Sequence, residues 1–159
     1  MVDGGEHAKC VDTWLDEAAR GLTPPALRRL LEVAFGALWT RTMTTLGEVT
    51  LTAIGERVLY TAAERFPVLS SLQVVPTRGI ELRGAEPQAP PSESELREGM
   101  RFLLVELLTV LGSLTAEILT PELHAQLRGV VLPPSVHLVK ETETPAGARK
   151  KQAGEGGGL

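Results

Sequence analysis

The stretch that decides the fold covers residues 94–119 and reads SELREGMRFLLVELLTVLGSLTAEIL. Its apolar residues recur at intervals of three and four, which is the period of an α-helix, and they occupy more than one face of it. A helix with this pattern is buried from several sides, so it predicts the centre of a helical bundle. Glu106 and Glu117 interrupt the run, and a carboxylate costs about 3 kcal/mol near the middle of a bilayer. We therefore expect a buried core helix and no membrane span.

The sequence on either side predicts further helices with recognisable ends. Thr23 followed by two prolines is typical of an N-cap with proline in the first turn. Ser92 and Glu95 have the spacing of a capping box at the start of the long helix, and Thr120-Pro121 repeats the cap-plus-proline pattern. The expected helices, besides 94–119, are 12–20, 24–46, 51–66 and 122–128.

A change of period between these helices predicts a β-hairpin. Leu72, Val74, Ile80 and Leu82 alternate with polar residues around the segment 76–79, which contains proline and glycine. A two-stranded hairpin is barely stable in water by itself. We therefore expect it to pack on the helices or to pair with the edge of another chain.

The domain organisation follows from these elements and from composition. The chain has 159 residues, which is close to the usual size of one domain. We expect a flexible N-terminus over 1–11, a single helical domain over 12–139 with a proline-rich linker at 83–91, and a disordered tail over 140–159 that has little to bury. The predicted fold class is mainly α, a bundle of about five helices with a small β-hairpin insertion.

The composition of the chain makes several classes of function unexpected. The net charge of -4 and the pI of about 5.4 give no pull toward a phosphate backbone, so nucleic-acid binding is not expected. One cysteine, Cys10, allows no intrachain disulfide and no cysteine-based zinc site. The N-terminal residues lack the apolar segment of a signal peptide, so we expect a cytoplasmic protein. The excess of arginine over lysine is typical of GC-rich bacterial genes.

Motifs that carry chemistry are missing from the sequence. It has no phosphate-binding glycine loop and no Gly-x-Ser-x-Gly elbow. The three histidines, His7, His124 and His137, are far apart along the chain, so no metal site is expected. The sequence therefore predicts no catalytic residue and no cofactor, and the protein is not expected to be an enzyme.

Two polar residues remain candidates. Glu106 can lie in an exposed column of its helix, form a buried pair with Arg57 or Arg101, or act as a general acid or base in an apolar pocket. His124 is expected to be solvated or to cap its helix; a phosphate-accepting histidine is the alternative.

These observations favour a non-enzymatic helical interaction or signalling module whose partner is another protein or a second copy of itself. The helix 94–119 is apolar on faces that three long helices do not cover, which predicts a homodimer with Leu104, Leu108 and Leu111 at its interface. The alternatives are a small-molecule sensor with an apolar pocket between helices and a small enzyme that uses Glu106.

Overall fold

The computed structural model of the protein describes residues 4–82 and 92–132. Within these ranges the chain forms five α-helices and one β-hairpin, which confirms the predicted helical bundle. The elements are α1 (Gly4–Ala18), α2 (Pro24–Leu46), α3 (Glu48–Arg65), a 3₁₀ turn (Pro67–Ser71), β1 (Leu72–Val75), β2 (Gly79–Leu82), α4 (Glu93–Leu114) and α5 (Thr120–Arg128). The linker 83–91 and the tail 140–159 lie outside the described residues.

Helix α4 is the centre of the bundle. It packs against α1, α2, α3, α5 and the 3₁₀ turn, so the chain's own elements surround it. Leu104, Leu108 and Leu111 are fully buried in this single chain, and they have no surface left for a second subunit. Our assignment of these three leucines to a dimer interface is therefore wrong, because α1 and α5 cover faces that we had left open. The homodimer itself stays a prediction.

Helix α1 begins earlier than the sequence indicated. It starts at Gly4, so the expectation of a flexible N-terminus up to residue 11 is wrong for residues 4–11. His7 and Val11 are buried, and Arg101 of α4 donates to the carboxylate of Asp12 at 2.6 Å. Such a polar segment forms a stable helix because tertiary contacts hold it, and those contacts cannot be found from local pattern.

The N-terminal ends of α2 and α4 are capped by the predicted residues. The Thr23 side chain accepts a hydrogen bond from the amide of Ala26 at 3.4 Å, and the Ser92 hydroxyl accepts one from the amide of Glu95 at 3.0 Å. Each bond satisfies an amide that the first turn of a helix leaves without a partner.

Helix α4 ends at Leu114, five residues before the predicted end. The Ala116 amide donates to the carbonyl oxygen of Ser113 at 3.2 Å and the Glu117 amide to that of Gly112 at 2.6 Å, which is the hydrogen-bond pattern of a Schellman motif. Ala116 and Glu117 have φ angles of 53° and 63°. Because alanine stands where glycine is usual, the sequence carried no signal for this stop.

The hairpin packs on the helices, as predicted. Its strands are antiparallel, with Val74 opposite Ile80, and β1 lies against α3 while β2 lies against α2. The indole N–H of Trp39 donates to the carbonyl oxygen of Pro76 at 2.9 Å, which ties the turn of the hairpin to α2. Among the described residues, no helix is long and apolar enough to cross a membrane.

Candidate functional sites at a histidine pair and a groove

Two histidines meet inside the bundle although they are 117 residues apart in the sequence. Nδ1 of His7 on α1 lies 2.9 Å from Nε2 of His124 on α5, and the two rings are perpendicular. His7 is 1% exposed and His124 is 9% exposed. The expectation of a solvated or capping His124 is therefore wrong. Sequence separation hid the pair, because it forms only when α1 packs on α5.

Glu117 and Thr120 extend the pair. Oε1 of Glu117 lies 3.6 Å from Nε2 of His7 and accepts a short hydrogen bond from the Thr120 hydroxyl. Thr120 thus opens α5 without capping it, since the N-cap position belongs to Leu119. A Cβ on Gly112 would lie 2.6 Å from Oε1, so glycine leaves the space that this carboxylate occupies. We call His7, Glu117, Thr120 and His124 the histidine cluster.

The geometry of the histidine cluster fixes how it can hold protons. A single proton fits between two ring nitrogens 2.9 Å apart. If Nδ1–H of His7 donates to Nε2 of His124, both rings are neutral, and Nε2 of His7 stands 3.6 Å from Oε1 of Glu117 without a hydrogen bond. Protonating both facing nitrogens sets two N–H groups against each other and breaks the bond.

Nearby charges act on the histidine cluster in opposite directions. Burial lowers the pKa of His124, and the positive charges of His7 and Arg128 lower it further, while the carboxylates of Glu6 and Glu117 act to raise it. The folded protein therefore favours a neutral His124.

Cys10 lies one turn after His7 on α1. Arg128 donates to its sulfur at 3.9 Å. Burial raises the pKa of the Cys10 thiol, and the nearby Arg128 offsets part of that effect. The thiol is therefore protonated at neutral pH and is a poor nucleophile.

The histidine cluster is not arranged like a metal centre. In the described part of the chain, no group of three histidine, cysteine, aspartate or glutamate side chains has the geometry to hold a metal ion. The chemistry that its geometry supports is the holding and release of protons.

A groove formed by other elements of the bundle is a second candidate site. It has a volume of about 560 Å³ and lies between α3, the 3₁₀ turn and β1. Leu59, Leu69 and Leu72 contribute apolar lining, and Glu56 and Glu64 contribute carboxylates. We call it the α3–β1 groove.

The strand that borders this groove has an unpaired edge. In the described residues β1 pairs with β2 alone, so alternate backbone N–H and C=O groups of β1 point away from β2. Gln73 and Val74 of β1 belong to the groove lining. The edge and the groove together offer backbone hydrogen-bonding groups beside apolar surface.

Glu106 is partly exposed on α4, which agrees with its placement in an exposed column. The predicted pair with an arginine is not formed, since Arg101 binds Asp12 and Arg57 is exposed on α3. Glu106 does not line the α3–β1 groove, so its role as a general acid or base gains no support.

Comparison of the chain with known protein families, with curated proteins and with solved structures finds no significant match.

Proposed function

We propose that the protein is a non-enzymatic interaction module that binds an extended segment of a partner protein in the α3–β1 groove. The observation that supports this most directly is the unpaired edge of β1 beside an apolar groove. An exposed strand edge is a template for an added strand, and several peptide-binding domains use one in this way.

The lining of the groove indicates the chemistry of the partner. In an added strand, alternate side chains point to the same face, so apolar residues two apart can contact Tyr60, Ala63 and Val74, the accessible apolar lining of the groove. Glu56 and Glu64 give the groove negative charge. Opposite charge favours the correct partner and speeds its association. The expected ligand is therefore an extended peptide with alternating apolar side chains and at least one lysine or arginine.

A small-molecule sensor is the second candidate. A volume of about 560 Å³ lies within the range of ligand pockets, roughly 300–1,000 Å³. The strand edge favours the peptide, because a small apolar ligand makes no use of backbone hydrogen-bonding groups.

Selection from a display library of random 12-residue peptides, with the full chain as bait, tests the proposal. Selected peptides should be enriched in alternating apolar residues and in lysine or arginine. Ala63 lies in the groove lining, so Ala63→Trp should fill the groove and weaken binding at least about tenfold, equivalent to 1.4 kcal/mol.

The matched control is Ala53→Trp, at an exposed position of the same helix that is not part of the groove lining. It should leave peptide affinity unchanged. Equal affinity of the wild type and Ala63→Trp for the selected peptides would contradict the proposal. Failure to select peptides, together with saturable binding of an apolar dye that Ala63→Trp abolishes, would favour the small-molecule sensor.

A further inference from the structure

We propose that the histidine cluster is a proton-operated latch: it fastens the first half of α1, residues 4–11, to α5 while His124 is neutral, and it opens when His124 is protonated. This inference concerns a different face of the bundle from the α3–β1 groove and does not depend on the proposed function.

The contacts of α1 divide into two halves. In the first half, His7 binds His124 and the Cys10 sulfur accepts a long hydrogen bond from Arg128, and these two contacts lead to α5. In the second half, Asp12 and Asp16 accept hydrogen bonds from the arginines of α4 at positions 101 and 97.

The second half of α1 is insensitive to mild acid. Histidine is the side-chain type whose charge ordinarily changes between pH 5 and 8, and the ion pairs of this half contain no histidine. Trp14 also donates from its indole N–H to the carbonyl oxygen of Val130 at 2.8 Å, a bond with no titratable partner. Protonation of His124 therefore weakens the attachment of the first half of α1 and leaves the second half in place.

The charged groups around the two histidines change how easily His124 is protonated. Glu6 on α1 and Glu117 in the turn before α5 favour a positively charged ring, whereas Arg128 on α5 and the facing ring oppose it. Burial opposes it most strongly, and it lowers the pKa of His124. Cys10 stays neutral, since burial raises its pKa.

The direction of the pH response follows from burial and from these charges. In the open form His124 is hydrated and takes up a proton near pH 6.5, the ordinary value for histidine. In the closed form His124 resists protonation, so the open form binds more protons below pH 6.5. Binding of one additional proton by the open form raises the equilibrium constant for opening about tenfold between pH 7.5 and 5.5. The factor is not larger because proton uptake begins only near pH 6.5.

Hydrogen exchange of the full chain, followed by mass spectrometry at pH 7.5 and 5.5 and corrected for intrinsic exchange rates, tests the latch. Protection of amides in residues 5–11 should fall about tenfold at the lower pH, while protection of α4 stays unchanged. Unchanged protection of residues 5–11, or an equal loss across all helices, would overturn the proposal.

Two variants separate the latch from a structural role of the pair. His124→Gln keeps a side-chain oxygen that can accept from Nδ1–H of His7 but cannot be protonated, so the loss of protection at pH 5.5 should disappear. His137→Gln removes the histidine that lies outside the described residues and should leave the response intact.

A response that persists in His124→Gln or vanishes in His137→Gln would contradict the latch. If His124→Gln does not fold, the wild type still tests the proposal by whether its loss of protection at pH 5.5 is confined to residues 5–11. A histidine pair that only stabilised the fold would not cause an acid-dependent loss of amide protection confined to residues 5–11.

Discussion

Trp39 on α2 and Gly55 on α3 fit together without room for a side chain at position 55. Cζ3 of the indole lies 2.7 Å from where a Cβ on Gly55 would stand. The indole cannot retreat easily, because its N–H is bonded to Pro76 and its ring stacks on Phe35 at 5.8 Å between centroids. This contact joins two helices to the hairpin, and Val74 of β1 also approaches the same glycine.

Gly55→Ala should lower the free energy of unfolding by about 1–3 kcal/mol, since overpacking a tight contact forces side chains from their preferred positions. Urea denaturation measures the change. Gly129→Ala is the control, because the nearest atoms to its Cβ would lie at 3.6 Å, which is ordinary contact. Equal effects of the two substitutions would show that the indole can move aside.

Leu107→Ala and Leu111→Ala should each cost about 2–5 kcal/mol, because both leucines are fully buried in α4 and truncation leaves a cavity. Leu114→Ala should change the stability by less than about 0.5 kcal/mol, since Leu114 is 55% exposed. The measurement is again urea denaturation. A neutral result at both buried positions would mean that α4 is not the centre of the bundle.

Ala116→Gly should stabilise the protein by about 0.5–1 kcal/mol. Ala116 has a φ of 53°, where a Cβ is unfavourable by roughly 1–2 kcal/mol and glycine is not. The opposite sign is expected for Ala125→Gly in α5, which should cost about 1 kcal/mol. Thermal unfolding of the two variants compares them directly, and a destabilising Ala116→Gly would mean that the turn has no strain to relieve.

The sequence predicted the elements whose signals are local and missed what depends on distant contacts. Thr23 and Ser92 mark helix starts by their own side chains, and both were found. The stop at Ala116 was missed because alanine occupies a position that usually holds glycine.

The candidate sites were harder to predict than the fold. His7 is buried by elements more than a hundred residues away, and no periodicity within α1 indicates that partner. The assignment of Leu104, Leu108 and Leu111 to an interface was wrong for the same reason. The apolar stripe showed that they are buried, but it could not show whether α1, α5 or a second chain covers them.

The pH dependence of stability is expected to follow His124. Its pKa is lowered in the folded protein, chiefly by burial, and it returns to about 6.5 on unfolding. The unfolded chain therefore binds the proton first, so the stabilising effect of a neutral His124 is complete above about pH 7 and is lost as the pH falls below 6.5.

The free energy of unfolding should decrease by up to about 1.4 kcal/mol per pH unit in that window. Urea midpoints between pH 8 and pH 5 measure this slope in the wild type, in His124→Gln and in His137→Gln. The slope should be reduced in His124→Gln and retained in His137→Gln, because only the first substitution removes the buried ring. A slope that is the same in all three proteins would assign the acid sensitivity to other groups and would remove the energetic basis of the latch.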